Sequence, residues 1–182
     1  MSRKEMKRRV VIGGIFLSLL ASLGFAAKAK DNDAQPIMGW YEIVQIEELE
    51  NVPIKAKIDT GAYTASLNAV NISYYEKEGE DWVRFTPVID NKELITRELP
   101  LHKVSRIKQR AEEGDDSDDI ASAKRPVVEM QVCIGNIKRV IEVNLTNRGH
   151  FNYPLLIGAK ALREFGALVD ANREYMADPA CN

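Results

Sequence analysis

Only two of the 182 residues are cysteine and two are histidine, and both pairs are widely separated, at Cys133 and Cys181 and at His102 and His150. The chain therefore lacks the close thiol and imidazole spacings of structural zinc sites, and it has no His-Glu-x-x-His to hold a catalytic zinc. No Gly-x-x-x-x-Gly-Lys-Ser/Thr is present to cradle phosphates, so nothing points to ATP. No metal and no cofactor is expected. There is no internal repeat and no excess of basic charge; with 25 Lys plus Arg against 27 Asp plus Glu, nucleic acid is excluded as an expected partner.

The first residues read as an address. Arg3, Lys4, Lys7, Arg8 and Arg9 precede an apolar run at residues 10–27, and Ala27-Lys28-Ala29 is a small-x-small cleavage site. Residues 1–29 are thus expected to be a bacterial secretory signal, giving a periplasmic or secreted protein. Left uncleaved, the 18-residue run would be an inner-membrane anchor, the only route to a membrane. Removing residues 1–29 takes away six basic side chains and one acid, leaving 19 basic against 26 acidic residues, a net charge of −7. Residues 30–37 read as a linker and residues 38–178 as one domain with its own core. The two cysteines permit a disulfide in an oxidising compartment, although Cys133 alternates within a strand, the usual place of a small buried apolar residue, and Cys181 lies next to the end.

Strands dominate the body. Residues 38–49 read as one strand, 54–58 as a second and 65–72 as a third. Residues 82–88 turn at Asp90-Asn91-Lys92 and return over 93–104. The clearest hairpin joins 127–134 to 137–145 through Gly135-Asn136, a pair suited to a two-residue turn. This spacing predicts an all-β barrel or sandwich. Six acids crowd into residues 112–119, where repulsion and low hydrophobicity predict a solvated loop able to cover a cleft.

The most informative stretch is Ile58-Asp59-Thr60-Gly61-Ala62, which sets a carboxylate on a turn at the end of a strand. About ninety residues later, Tyr153-Pro154-Leu155-Leu156-Ile157-Gly158 runs into a short helix with Leu162 and Phe165 on one face and Gly166 as its stop. A strand at 167–170 then turns at Ala171-Asn172 and is expected to return through 173–176 as a closing hairpin. This order resembles the retropepsin-like aspartic proteases. More narrowly, Lys57 to Ala62, Arg125-Pro126-Val127-Val128 and Leu145-Thr146-Asn147-Arg148 ahead of the Tyr153 segment resemble the bacterial family labelled ATP-dependent zinc proteases.

The resemblance implies a retropepsin-like closed barrel with one short C-terminal helix, and Asp59, Thr60 and Gly61 as catalytic residues. Two carboxyl groups sharing a proton can activate water and polarise a peptide carbonyl. One chain supplies one Asp-Thr-Gly, so the mechanism asks for a homodimer in which both Asp59 side chains meet. The expectation is an exported aspartic endopeptidase acting on protein or peptide substrates. Thr60 would lock the two turns together and Gly61 would permit backbone approach. Ala62 offers no side-chain donor to lower the Asp59 pKa, which argues for a working range nearer neutral than that of a stomach protease. Ile157 and Gly158 would pack beneath the turn. Arg148 and His150 are candidates to line the cleft, although a loop position more commonly means exposure.

Tyr63 and Ala159 stand where viral retropepsins carry an acid and an arginine, and Asn68 where bacterial relatives often carry a histidine. The alternative reading is a non-catalytic peptide-binding or regulatory module on the same fold. A metallopeptidase has the weakest support, with His102 and His150 in separate segments.

Overall fold

The computed structural model describes residues 35–107 and 123–181. The expected signal at 1–29, most of the linker and the acidic run at 112–119 lie outside the described residues. The strands are β1 (Ile37–Gly39), β2 (Tyr41–Ile46), β3 (Ile54–Asp59), β4 (Ala65–Lys77), β5 (Glu80–Ile89), β6 (Lys92–Glu93), β7 (Arg97–Pro100), β8 (Lys103–Ile107), β9 (Ala123–Ile134), β10 (Ile137–Thr146), β11 (Leu155–Gly158) and β12 (Leu168–Asp170). One α-helix, α1 (Ala159–Phe165), follows β11 directly. Among the described residues no helix is long and apolar enough to cross a membrane.

Six strands close into a barrel in the order β10, β9, β2, β3, β11, β4, with β4 returning to β10 through the parallel pairs Val143 with Ala65 to Thr146 with Asn68. Closure leaves no free edge within the ring. Period-two alternation fills it. Ile54, Ala56 and Ile58 of β3 point inward while Lys55, Lys57 and Asp59 point out, and Leu67, Met130, Ile141, Leu155 and Ile157 meet them in the core. Each such side chain adds about 1.5–3 kcal/mol on burial. The expected hairpin is the β9–β10 pair, and its Gly135 and Asn136 have φ of 57° and 66°, the left-handed pair a two-residue turn of that hand requires.

Three expectations need correction. Residues 38–49 do not form one strand: β1 and β2 part at Trp40, and the segment ends in a 3-10 turn, Glu47–Leu49. The cause lies at Glu42, a fully buried carboxylate that accepts the Gly39 N–H at 2.6 Å and the N–H groups of Met176 and Ala177 at 3.0 and 3.1 Å. The return from 93 to 104 is split into β6, β7 and β8. Pro87 has no N–H to give β5's partner on that side, and between β6 and β7 the ladder is replaced by the Leu94 N–H donating to Pro87 O and by a bond between the Thr86 and Thr96 hydroxyls.

The closing hairpin is also absent, because β12 pairs in parallel with β1, and residues 173–176 form no strand. They run instead along the β1–β2 junction, with Trp40 N donating to Arg173 O and Tyr175 N to Tyr41 O. The tail then returns to β9, where Cys133 and Cys181 form a disulfide, with Cα atoms 6.2 Å apart. Cys133 is buried as its alternation suggested, and burial against the tail is what lets it pair.

Candidate functional site

β11 lies between β3, to which it is parallel, and β4, to which it is antiparallel; Ile157 pairs with Ile58 and Gly158 with Asp59. The Leu-Leu-Ile-Gly strand is thus the immediate neighbour of the Asp59 strand. Its glycine is forced by space. A Cβ at Gly158 would lie 2.6 Å from Thr64 O and 2.9 Å from Ala62 O, closer than side-chain carbons come to backbone. At Gly61 the same test gives only ordinary contact, 3.4 Å from the Asp59 carboxylate. Gly61 therefore serves within this chain by its N–H rather than by its lack of a side chain.

The turn after β3 closes with the Ala62 N–H on Asp59 O at 3.3 Å. The first N–H groups of α1, at Ala159 and Lys160, donate to Ala62 O and Tyr63 O at 2.8 and 3.0 Å, so the loop and the helix satisfy each other's backbone. The Asp59 carboxylate accepts from Gly61 N at 3.0 Å and Ala62 N at 3.2 Å on Oδ1, and from the Lys57 ammonium at 3.0 Å on Oδ2. Partial burial would push the carboxyl up, but Lys57 and the two backbone donors outweigh it and hold Asp59 below the usual carboxylate range. The expectation drawn from the side chain of Ala62 is corrected here, since the residue acts through its N–H. Thr60 is exposed at the tip of the turn.

A cleft of about 850 Å³ opens over this turn. Its wall includes Lys57, Asp59, Thr64, Ser66, Leu156, Arg106, Arg125, Asn144 and Arg148, with Tyr63 and Phe151 at the rim. The two rim rings are 65% and 62% exposed. Arg148, one of the expected cleft residues, is not in an exposed loop: it is 6% exposed, and its guanidinium sits 4.4 Å from the Phe151 ring centre. Asn68 sets it there by accepting the Arg148 N–H at 2.7 Å while donating to Val88 O. His150 lines a different, smaller cleft of about 350 Å³ with Asn68, Asp90 and Asn91.

The electrostatics of the cleft are unbalanced. Among the described residues, Lys57, Arg106, Arg125 and Arg148 share it with a single carboxylate, Asp59. The Nε atoms of Arg125 and Arg148 are buried without a hydrogen-bond partner among the described residues, and Arg125 reaches Asn144 Oδ1 only at 3.5 Å. Burial first, and then the like charge of Arg125, push the Arg148 guanidinium below its ordinary value while Asp59 pulls the other way. Burial lowers Arg125 too. Arginine keeps its proton through such shifts, so the cost remains as positive charge that Asp59 offsets only in part.

Sequence reasoning assigned no role to Lys57, Arg106, Arg125 or Asn144. Lys57 was signalled by its place two residues before Asp59 on the same strand face. The others belong to distant segments that only barrel closure brings together. Among the described residues no group of three or more His, Cys, Asp or Glu could hold a metal ion.

Comparison with known proteins adds three findings. Residues 37–180 match the RimB-like family model, described as "Retropepsin-like aspartic endopeptidase RimB". Curated relatives named "Probable alpha-L-glutamate ligase" match at 32% identity over 146 residues in Shewanella pealeana and at 31% over 134 residues in Desulfotalea psychrophila, covering 79% and 72% of this chain. The chain spans only 30% and 27% of the length of those relatives. A solved structure of the protein Lpg0085, of unknown function, from Legionella pneumophila aligns with a TM-score of 0.65 and 34% identity, covering 79% of this chain and 98% of that one.

The matched model and the curated relatives both carry the names of enzymes, and neither name is that of a zinc protease. The expectation of an aspartic endopeptidase is corrected by the curated relatives, which are named for ligation of glutamate. They fit the alternative better, a peptide-binding or regulatory module on this fold.

Proposed function

Since the chain belongs to the RimB-like family of retropepsin fold, we propose that its cleft is a binding module for acidic, glutamate-bearing peptide chains. The observation that carries the reading is the surplus of positive charge in the cleft among the described residues, above all the Arg148 guanidinium, 6% exposed and with an Nε that has no partner among them, beside Arg125. A buried guanidinium N–H without an acceptor costs about 1–3 kcal/mol, and a ligand carboxylate is a group that relieves it. Glutamate is the residue named in the activity of the curated relatives. The Cys133–Cys181 bridge supports export through the segment at 1–29, because disulfides persist in oxidising compartments.

Titration calorimetry with a tetraglutamate peptide and its tetraglutamine counterpart tests the reading. The acidic peptide is expected to bind at least tenfold more tightly, about 1.4 kcal/mol. Equal affinities for the two would overturn it.

A further inference from the structure

The two oxygens of Asp59 are held differently. Oδ1 is taken by the backbone N–H groups of Gly61 and Ala62, whereas the side-chain partner of Oδ2 is Lys57, 3.0 Å away and 42% exposed in the same cleft as Arg125 and Arg148. We propose that Lys57 is a positioning residue with two competing acceptors: in the free protein it occupies Asp59 Oδ2, and an acidic ligand seated on the arginines takes the ammonium over, freeing Oδ2 to accept an N–H of the ligand. The inference rests on the acidic-peptide reading and adds to it a way for the ligand to change the state of Asp59.

The energies allow the exchange. An ion pair this exposed contributes about 0.2–1 kcal/mol, little enough for a ligand carboxylate to displace it. The carboxylate does not swing away when Lys57 leaves, because the two donors on Oδ1 belong to the rigid turn. The cations that share the cleft with Asp59 are Lys57 from β3, Arg106 from β8, Arg125 from β9 and Arg148 from the segment after β10; Lys57 bonds the carboxylate and Arg148 attracts it. A ligand that draws Lys57 off Oδ2 removes the cation from the groups that hold Asp59 ionised and leaves the backbone donors on Oδ1, so Asp59 becomes easier to protonate once the ligand is bound. A carboxylate clamped by a cation is thereby turned into a group that can accept a hydrogen bond from the ligand and carry a proton beside it.

Carbon-detected NMR titration of the Asp59 carboxyl in the full chain tests this, with and without tetraglutamate, in wild type, Lys57→Met and Lys57→Arg. In wild type the midpoint is expected to move up on adding the peptide. In Lys57→Met it is already raised and moves less, and Lys57→Arg restores the wild-type behaviour. Lys57→Met is expected to weaken the peptide about two- to five-fold, the equivalent of one exposed ion pair. A bound peptide that leaves the wild-type midpoint in place overturns the exchange alone, as does a Lys57→Met midpoint equal to wild type. If tetraglutamate fails to bind wild type, the reading of the cleft falls and the exchange falls with it.

Discussion

Two clusters of charge stand side by side on the barrel wall, at residues two apart on β10. Around Glu142 the cations are answered: Lys103 and Lys160 each lie 2.5 Å from its carboxylate. Around Asn144, which faces the Asp59 turn, they are not, because Arg125 meets an amide at 3.5 Å and Arg148 meets a ring. A satisfied network holds the fold together, whereas an unsatisfied one lowers stability unless something else completes it. The difference sets a completed cluster beside one whose polar groups lack partners among the described residues, and the second is where the proposed ligand would add them.

The largest effect is expected at Arg148. Arg148→Met should cost about 2 kcal/mol or more in tetraglutamate binding, some 30-fold, while the melting temperature of the free protein stays level or rises, because an uncompensated buried cation has been removed. Calorimetric binding and thermal melts on the same sample check both halves, and a fall in both would erase the contrast with Glu142.

Next comes Gly158→Ala, which drives a Cβ into Thr64 O and Ala62 O and is expected to destabilise the fold by about 1–3 kcal/mol in urea unfolding. The turn that carries Asp59 would move with it, so the same variant should lose peptide binding more than stability alone explains.

Glu142→Gln is expected to do the reverse of Arg148→Met, lowering stability by about 1 kcal/mol or less and leaving tetraglutamate affinity unchanged. Burial would raise the Glu142 carboxyl, but bonds from Lys103 and Lys160 bring it down to about 2. A carboxyl depressed in the folded state gives stability that is present above its ordinary value of 4.5 and is lost as pH falls toward 2. Melting temperature followed from pH 6 to 2 should therefore decline less steeply in Glu142→Gln than in wild type; parallel curves would show that the cluster does not carry the acid sensitivity.

The smallest effect is expected at Phe151, whose exposed ring covers Arg148. Phe151→Ala removes a cation–π contact of about 0.5–1 kcal/mol and should weaken tetraglutamate two- to five-fold. An unchanged affinity would place the ring outside the binding surface.

The parts of the site that were legible in the sequence are those whose signals are local. The strand into Asp59, the glycine at 158, the helix with Leu162 and Phe165 inward and its stop at Gly166 follow from alternation, spacing and a left-handed φ of 62° at that stop. The charge surplus was not legible, because positions 57, 106, 125 and 148 meet only after six strands close. Reading Ala62 through its side chain missed the N–H that it donates to Asp59. The tail was misread for a similar reason. Tyr175 adopts a φ of 51°, outside strand geometry, and the segment is held by Glu42, an acid in a strand that gives no sign in the sequence of being fully buried.

The placing of β11 has a consequence for how the protein is made. Leu155–Gly158 forms the middle rung between Ile54–Asp59 and Ala65–Lys77, which are produced some hundred residues earlier. At about 5–20 residues per second the ribosome leaves those two early strands without their shared neighbour for several seconds. Until the last quarter of the chain emerges, the Asp59 turn has no floor, and the nascent polypeptide cannot display a finished cleft to any acidic peptide in its surroundings.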